Sequence, residues 1–251
     1  MPDTPAPVNG LPSTGPPGNA RPSGGPSAVD LPHTVVVALG DCADTKAGDH
    51  ALLAELVARL TGVDAASVTL TQRCPRCGAG DHGPLRVSIA GSTSVAPWVS
   101  LARAGGRLAL AVTAAGPVGI DLESLADLAR APITDVLLSP AETDALSALS
   151  PHVAQAAVAA LWTTKEAILK VAGVGLRVDP RDLTVSLDGP ATAPGPNATM
   201  ARRRLVDWPQ SPFPPTALHL LPVSSPPGTA ATVAIVGACR PELYVMPARV
   251  G

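Results

Sequence analysis

Apolar positions change their period along this chain, and the changes mark its elements. Val35-Val36-Val37-Ala38-Leu39 is a short continuous apolar run ended by Gly40, which predicts a strand. From His50 to Leu60 the residues Leu52, Leu53, Leu56, Val57 and Leu60 recur at helical spacing. Ser67 to Gln72 alternates as strands do, and Cys74 to Pro84 breaks into a Gly- and Pro-rich loop. Trp98–Leu101 and Leu108–Thr113 flank Gly105-Gly106 and predict a hairpin, and Val118–Glu123 predicts a further strand. Ser139 stands as N-cap before Pro140-Ala141-Glu142, with Glu142 as its capping-box partner. A longer helix is expected from about His152 to Ala172, after Ser150-Pro151 and before Gly173. Leu183–Leu187, Ala217–Leu221 and Ala231–Val236 are strand candidates. Residues 189–215 are Pro-rich and read as a long loop with Arg202-Arg203-Arg204 exposed in it, and the stretch after Cys239 has little pattern.

The order of elements is strand, helix, strands, and then strand, helix, strands again. That order predicts an α+β fold of two similar lobes, each a small, mostly antiparallel sheet packed on one principal helix. The expected lobes are residues 34–117 and 118–240, followed by a tail at 241–251. Residues 1–33 hold nine Pro and five Gly with almost no apolar run. Such a stretch buries too little surface to offset its ordering entropy and is expected to be disordered.

Composition narrows the packing and the class. The apolar fraction is 46%, but aromatics make up only 2%, so Ala, Val and Leu must fill a thin, closely packed core. A net charge of −2 gives no electrostatic reason to expect nucleic acid. No run approaches the roughly 20 apolar residues that cross a bilayer. The N-terminus lacks a basic start followed by an apolar core, so no secretory signal is read there. Four cysteines without such a signal point to a reducing cytoplasm.

Two short segments carry candidate chemistry. In Gly119-Ile120-Asp121-Leu122-Glu123, a strand would turn both acids to one face, with Gly119 beside them leaving room for a ligand or ion. In Trp162-Thr163-Thr164-Lys165-Glu166-Ala167-Ile168-Leu169-Lys170, a helix would stack Trp162, Glu166 and Lys170 on one stripe. Two strand carboxylates with a helix carboxylate and a lysine would suit a hard cation bound to phosphate. Each segment alone also has a plainer reading: a solvated strand face, and a favoured i,i+4 ion pair with Trp162 in the core.

Taken together, the two segments resemble the signature of the 4′-phosphopantetheinyl transferase superfamily. Cys74-Pro75-Arg76-Cys77-Gly78 with His82-Gly83-Pro84, the Ser100-Leu101-Ala102-Arg103 strand, and Gly173-Val174-Gly175-Leu176 are similar to its larger, monomeric surfactin-synthetase-activating type, actinobacterial members especially. The resemblance spans about residues 50–240. It implies the two-lobed fold of that family and transfer of the 4′-phosphopantetheine arm of coenzyme A to a serine of an acyl or peptidyl carrier protein, with adenosine 3′,5′-bisphosphate released. By position, Asp121, Glu123 and Glu166 would hold Mg²⁺ on the coenzyme A pyrophosphate. Glu166 would serve as general base, and Lys170 would contact phosphate. Arg103, Lys165, His82 and Arg76 would be further coenzyme A contacts, with Lys165 alternatively orienting the site or meeting the carrier. The implied clients are carrier domains of polyketide, nonribosomal peptide or fatty acid synthases.

Two departures keep a second reading open, that of a catalytically impaired homologue binding carrier protein or nucleotide. Members of the family commonly have Ser-His where this chain has Ala102-Arg103. Basic residues before and within the first helix are also sparse: Lys46, His50 and Arg59, with Arg73, Arg76 and His82 as substitutes. Cys74, Cys77 and His82 supply three metal ligands where a closed structural zinc site takes four, so this stretch is read as a structured loop in preference to a zinc module. Arg202-Arg203-Arg204 is read as a solvated loop, or else as a contact for acidic carrier helices.

Overall fold

The computed structural model describes residues 29–131, 133–188 and 201–248. In chain order its strands and α-helices are β1 (Thr34–Asp41), α1 (Lys46–Thr61), β2 (Val68–Gln72), β3 (Leu85–Ile89), β4 (Trp98–Ala104), β5 (Arg107–Thr113), β6 (Val118–Ser124), α2 (Leu125–Arg130), α3 (Thr134–Leu137), α4 (Pro140–Ser147), α5 (Pro151–Val171), β7 (Thr184–Asp188), β8 (Arg202–Asp207), β9 (Leu218–Val223), β10 (Thr229–Val236) and β11 (Glu242–Pro247). One sheet runs β11-β1-β5-β4 and another β6-β10-β9, with small ladders β2-β3 and β7-β8 beside them. Among the described residues, no helix is long and apolar enough to cross a membrane.

The period-two alternation of the strands sorts their side chains into layers. Val35 and Val37 of β1 and Ala109 and Ala111 of β5 face the second sheet, where they meet Val118, Ile120 and Leu122 of β6 and Val233 and Ile235 of β10. The intervening Ala38, Leu108, Leu110 and Val112 turn the other way, onto Leu53, Leu56 and Val57 of α1. On the far side of the second sheet, Ala167, Ile168 and Leu169 of α5 pack with Leu220 and Ala234. The layers are therefore α1, first sheet, second sheet, α5. Alanines on the first sheet's inner face let the two sheets share one core. At their junction the Ile120 N–H donates to the Ser100 hydroxyl, 3.0 Å, joining β6 to β4.

Local chemistry starts and stops the helices, α1 beginning four residues before the expected His50. Thr45 caps α1 by accepting from the Gly48 N–H, and Gly62 ends it at φ 73°, a left-handed conformation that favours glycine. Ser139 and Glu142 form the reciprocal capping box of α4.

Four expectations change. The stretch after Cys239 forms β11, which pairs parallel with the open edge of β1 from Thr34↔Glu242 to Leu39↔Pro247. Leu243 and Met246 then join the cores on opposite faces of that sheet. Of the segment expected to be disordered, residues 1–28 lie outside the described residues, but Leu31 is buried and its carbonyl accepts from the Ala114 N–H. Leu85–Ile89, to which no element was assigned, is β3, paired with β2. Arg202-Arg203-Arg204 opens β8, so alternation exposes Arg202 and Arg204 and buries Arg203. Arg203 donates to the Thr232 hydroxyl and to the Ala231 carbonyl, and burial pulls its pKa down to about 10.

Lys165 lies inside this framework, 1% exposed. Its ammonium donates to Glu142 Oε2 at 2.6 Å and to the Leu137 carbonyl at 2.7 Å. Glu142 also accepts from the Ser139 N–H and the Val185 N–H, both 2.8 Å, so one ion pair ties α5 to α3, α4 and β7. Removing one member of a buried pair strands the other charge, which costs about 3–5 kcal/mol. Lys165→Met is therefore expected to destabilise the fold by that order in chemical denaturation, while Lys165→Arg destabilises less.

Candidate active site

β6 presents Gly119, Asp121 and Glu123 to α5, while Val118, Ile120 and Leu122 fill the core between the sheets. The helix crosses closest at Gly119. A Cβ there would stand 2.3 Å from the Ala167 carbonyl oxygen and 2.7 Å from the Val171 nitrogen. Only a residue without a side chain permits this approach. Sequence reasoning expected Gly119 to leave room for a ligand; the backbone of α5 takes that room instead.

The approach brings the two charged segments together. Lys170 Nζ donates to Asp121 Oδ1 at 2.7 Å and to the Ile120 carbonyl at 3.0 Å. The Trp162 indole donates to Glu123 Oε1 at 2.9 Å. Among the described residues, Asp121 Oδ2 and Glu166 Oε1 are buried without a hydrogen-bond partner. Burial, then the Asp121 carboxylate, pushes Glu166 up to about 7, against the opposing pull of Lys170. The same two causes, in the same order, raise Glu123, and burial raises Asp121 despite Lys170. One ammonium thus stands among three mutually repelling acids. Two orphaned carboxylate oxygens in such a place fit a bound hard cation. The three acids stand apart enough that their oxygens do not all fall within 4.8 Å of one another, a closeness that among the described residues only Cys74, Cys77 and His82 reach.

The remaining expected contacts fall elsewhere. Lys165 points away from the carboxylates into its pair with Glu142, because on a helix it sits about 100° from Glu166; this corrects its assignment as a coenzyme A contact. Arg103 extends from β4 toward α1, with Nε 2.8 Å from Asp49 Oδ2 and Nη2 donating to the Ala43 carbonyl at 3.3 Å. Its neighbour Ala102 is buried in the core between the sheets. His82 takes Asp81 Oδ1 at Nδ1, 2.6 Å, and faces Cys77 Sγ with Nε2, 3.4 Å. Arg76 is exposed at the tip of the same loop. In that loop the backbone N–H groups of Cys77 and then Arg76 pull the Cys74 thiol down to about 6.

Asp49 was not anticipated. It is fully buried in the first turn of α1, accepts from the Ala43 N–H at 2.7 Å and pairs by charge with Arg103, whose Nε–H donates to Cys42 Sγ at 3.4 Å. An acid four residues after the N-cap Thr45 looks like an ordinary first-turn acid of a helix, and nothing in the sequence links it to Arg103. Ser100, which joins the two sheets, was noted only for its strand.

Residues 117–206 match the model of the 4′-phosphopantetheinyl transferase superfamily. Two solved structures are similar in part. A holo-(acyl-carrier-protein) synthase from Bacillus anthracis, in complex with CoA (3′,5′-ADP), is 20% identical over 49% of this chain and 96% of its own, with a TM-score of 0.37. The Thermotoga maritima holo-[acyl-carrier-protein] synthase is 16% identical over 48% of this chain and 62% of its own, with a TM-score of 0.33. No curated protein matches.

The raised carboxylates have a thermal consequence. A folded-state pKa of about 7 for Glu166, above its ordinary 4.5, means that the folded chain holds more protons than the unfolded one between those values. Stability therefore falls as pH rises through that window, and Asp121 and Glu123 add in the same direction. In the presence of a chelator, thermal melts should show a lower Tm at about pH 8 than at about pH 5. The drop should shrink in Glu166→Gln, and Mg²⁺ should raise Tm more at the higher pH.

Proposed function

We propose that this chain, whose residues 117–206 match the model of the 4′-phosphopantetheinyl transferase superfamily, moves the phosphopantetheine arm of coenzyme A onto a carrier-protein serine with Mg²⁺ held by Asp121, Glu123 and Glu166. The observation that carries this reading is the pair of buried carboxylate oxygens without a partner, Asp121 Oδ2 and Glu166 Oε1, beside the Lys170 ammonium. Bound there, Mg²⁺ supplies Lewis-acid polarisation of the phosphoryl oxygens and neutralises charge on the leaving diphosphate.

The serine oxygen forms a new bond to the phosphorus that bears the pantetheine arm. The bond between that phosphorus and the oxygen bridging to the second phosphorus breaks. Adenosine 3′,5′-bisphosphate leaves with that bridging oxygen and its electron pair. The proton of the serine hydroxyl goes to the Glu166 carboxylate. A pKa near neutrality suits that role, since the group is partly ionised at working pH yet basic enough to hold the proton. Two of the three Lys170 ammonium donors are engaged by Asp121 and Ile120, and the third is available to a phosphate oxygen. Trp162 fixes Glu123 by its indole N–H, which holds that carboxylate in one rotamer before substrate arrives. Arg103, oriented by Asp49 and 41% exposed at its side chain, adds fixed positive charge for the coenzyme A phosphates.

Incubating the protein with coenzyme A, Mg²⁺ and apo acyl or peptidyl carrier protein should add one phosphopantetheinyl group to the carrier serine, read by mass spectrometry. Glu166→Gln is expected to lower kcat by at least ~10²-fold while the protein still folds. Lys170→Ala should raise the KM for coenzyme A. Binding of carrier without any transfer, across several carriers, would favour a homologue that binds and does not catalyse.

A further inference from the structure

We propose that Cys74, Cys77 and His82 bind a zinc ion through two thiolates and an imidazole, with water as the fourth ligand, and that this ion pins the loop between β2 and β3. The sequence spacing argued against zinc because a closed site takes four protein ligands. The structure supplies what the spacing lacked: the loop folds so that the three donor atoms lie within 4.8 Å of one another. Zinc bonds of ~2.3 Å to sulfur and ~2.0–2.1 Å to nitrogen at a tetrahedral angle put those ligands about 3.6 Å apart. The Cys77 Sγ to His82 Nε2 distance is 3.4 Å.

The supporting shell is also present. Asp81 Oδ1 sits 2.6 Å from His82 Nδ1, which puts the ring proton there and leaves the Nε2 lone pair aimed at the cysteines. The turn is closed by Gly78 N–H donating to the Cys74 carbonyl and Cys74 N–H to that of Ala79. Gly83, at φ 102°, returns the chain so closely that a Cβ would meet the Arg73 carbonyl oxygen at 2.6 Å. These backbone devices bring His82 back over Cys74. Thiolate and imidazole donors prefer zinc, whereas the carboxylates of β6 and α5 suit Mg²⁺, so the two sites do not compete for one ion.

Pinning the loop reaches beyond it. Gln72 donates to the Gly83 carbonyl at 2.7 Å, and Lys46 of α1 donates to Gln72 Oε1 at 2.7 Å and to the Asp81 carbonyl. At the loop's end, the Pro84 ring lies 3.5 Å from where a Cβ on Gly173 would stand, just past the helix that carries Glu166 and Lys170. The ion thus crosslinks an exposed loop that spans from α1 to the end of α5. No part of this depends on the transfer chemistry.

The full-length protein, expressed with added zinc and purified without chelator, should carry about one zinc per chain by elemental analysis. Exchange for Co²⁺ should give the near-ultraviolet thiolate-to-cobalt charge-transfer band. Cys74→Ser and Cys77→Ser should lose both signals, and Asp81→Asn should weaken metal affinity about 10–100-fold. Zinc removal should speed proteolysis at residues 73–84, with recovery on adding zinc back. Absence of stoichiometric zinc together with no cobalt band would overturn the site. So would a Cys74–Cys77 disulfide in the protein purified under reducing conditions, or metal retained undiminished in both cysteine variants.

Discussion

At Gly119 the backbones of β6 and α5 approach more closely than any side chain permits, and the charged face of the molecule exists because they do. A Cβ at this position would stand 2.3 Å from the Ala167 carbonyl. A methyl group would push the helix outward by about an ångström, enough to separate hydrogen-bond partners that now sit 2.7 Å apart at Lys170 and Asp121. Most residues from Trp162 to Lys170 are accounted for by this crossing. Trp162 holds Glu123, while the Thr163 hydroxyl meets that of Thr232 on β10 at 2.9 Å. Lys165 holds Glu142, and Ile168 and Leu169 fill the core beside β7 and β9. With its other faces committed, α5 has one rotational setting, and that setting turns Glu166 and Lys170 to the carboxylates of β6.

The electrostatics run against stability at this same place. Desolvation raises the pKa of all three acids, and a single ammonium answers them. A fold optimised only for stability would replace Asp121 or Glu166 by an apolar residue of similar size. The carboxylates persist where the packing around them is most constrained, so relaxation cannot relieve them. Under the proposed function, a divalent cation entering between them would relieve this repulsion, and its binding would favour the folded chain over the unfolded one.

How much of this was legible in the sequence depends on whether a local rule sufficed. Strand alternation put Asp121 and Glu123 on one face, and helical spacing put Trp162, Glu166 and Lys170 on one stripe; both rest on periods internal to one element. The capping box at Ser139 and Glu142 was legible for the same reason. Lys165 was misassigned because a helix has more than one polar face, and which partner a face meets is a tertiary fact. Arg203 was misread because three arginines after a Pro-rich stretch look solvated, whereas β8 alternates and turns the middle arginine inward. β11 has no strong pattern of its own, since an edge strand takes its order from the ladder it joins. For the Cys74 loop, spacing gave three possible ligands, and only the fold shows that their donor atoms converge.

The two sheets are coupled by their narrowness. Ala102, Ala109 and Ala111 keep the inner face of the first sheet shallow, so β6 lies close enough for its Ile120 N–H to reach Ser100 on β4. That bond sets the height of Asp121, the next residue, relative to β4, whose Arg103 is in turn anchored by Asp49 on α1. A larger residue at Ala102 would wedge the sheets apart, lengthening the Ser100 to Ile120 bond and shifting Asp121 away from the Arg103 side. The serine expected at Ala102 by family resemblance would bring a hydroxyl into this apolar seam, where an unpaired buried hydroxyl costs about 1–3 kcal/mol. The alanine is therefore a packing choice that leaves positive charge on this edge to Arg103, whose guanidinium stays charged at any pH at which the protein is folded.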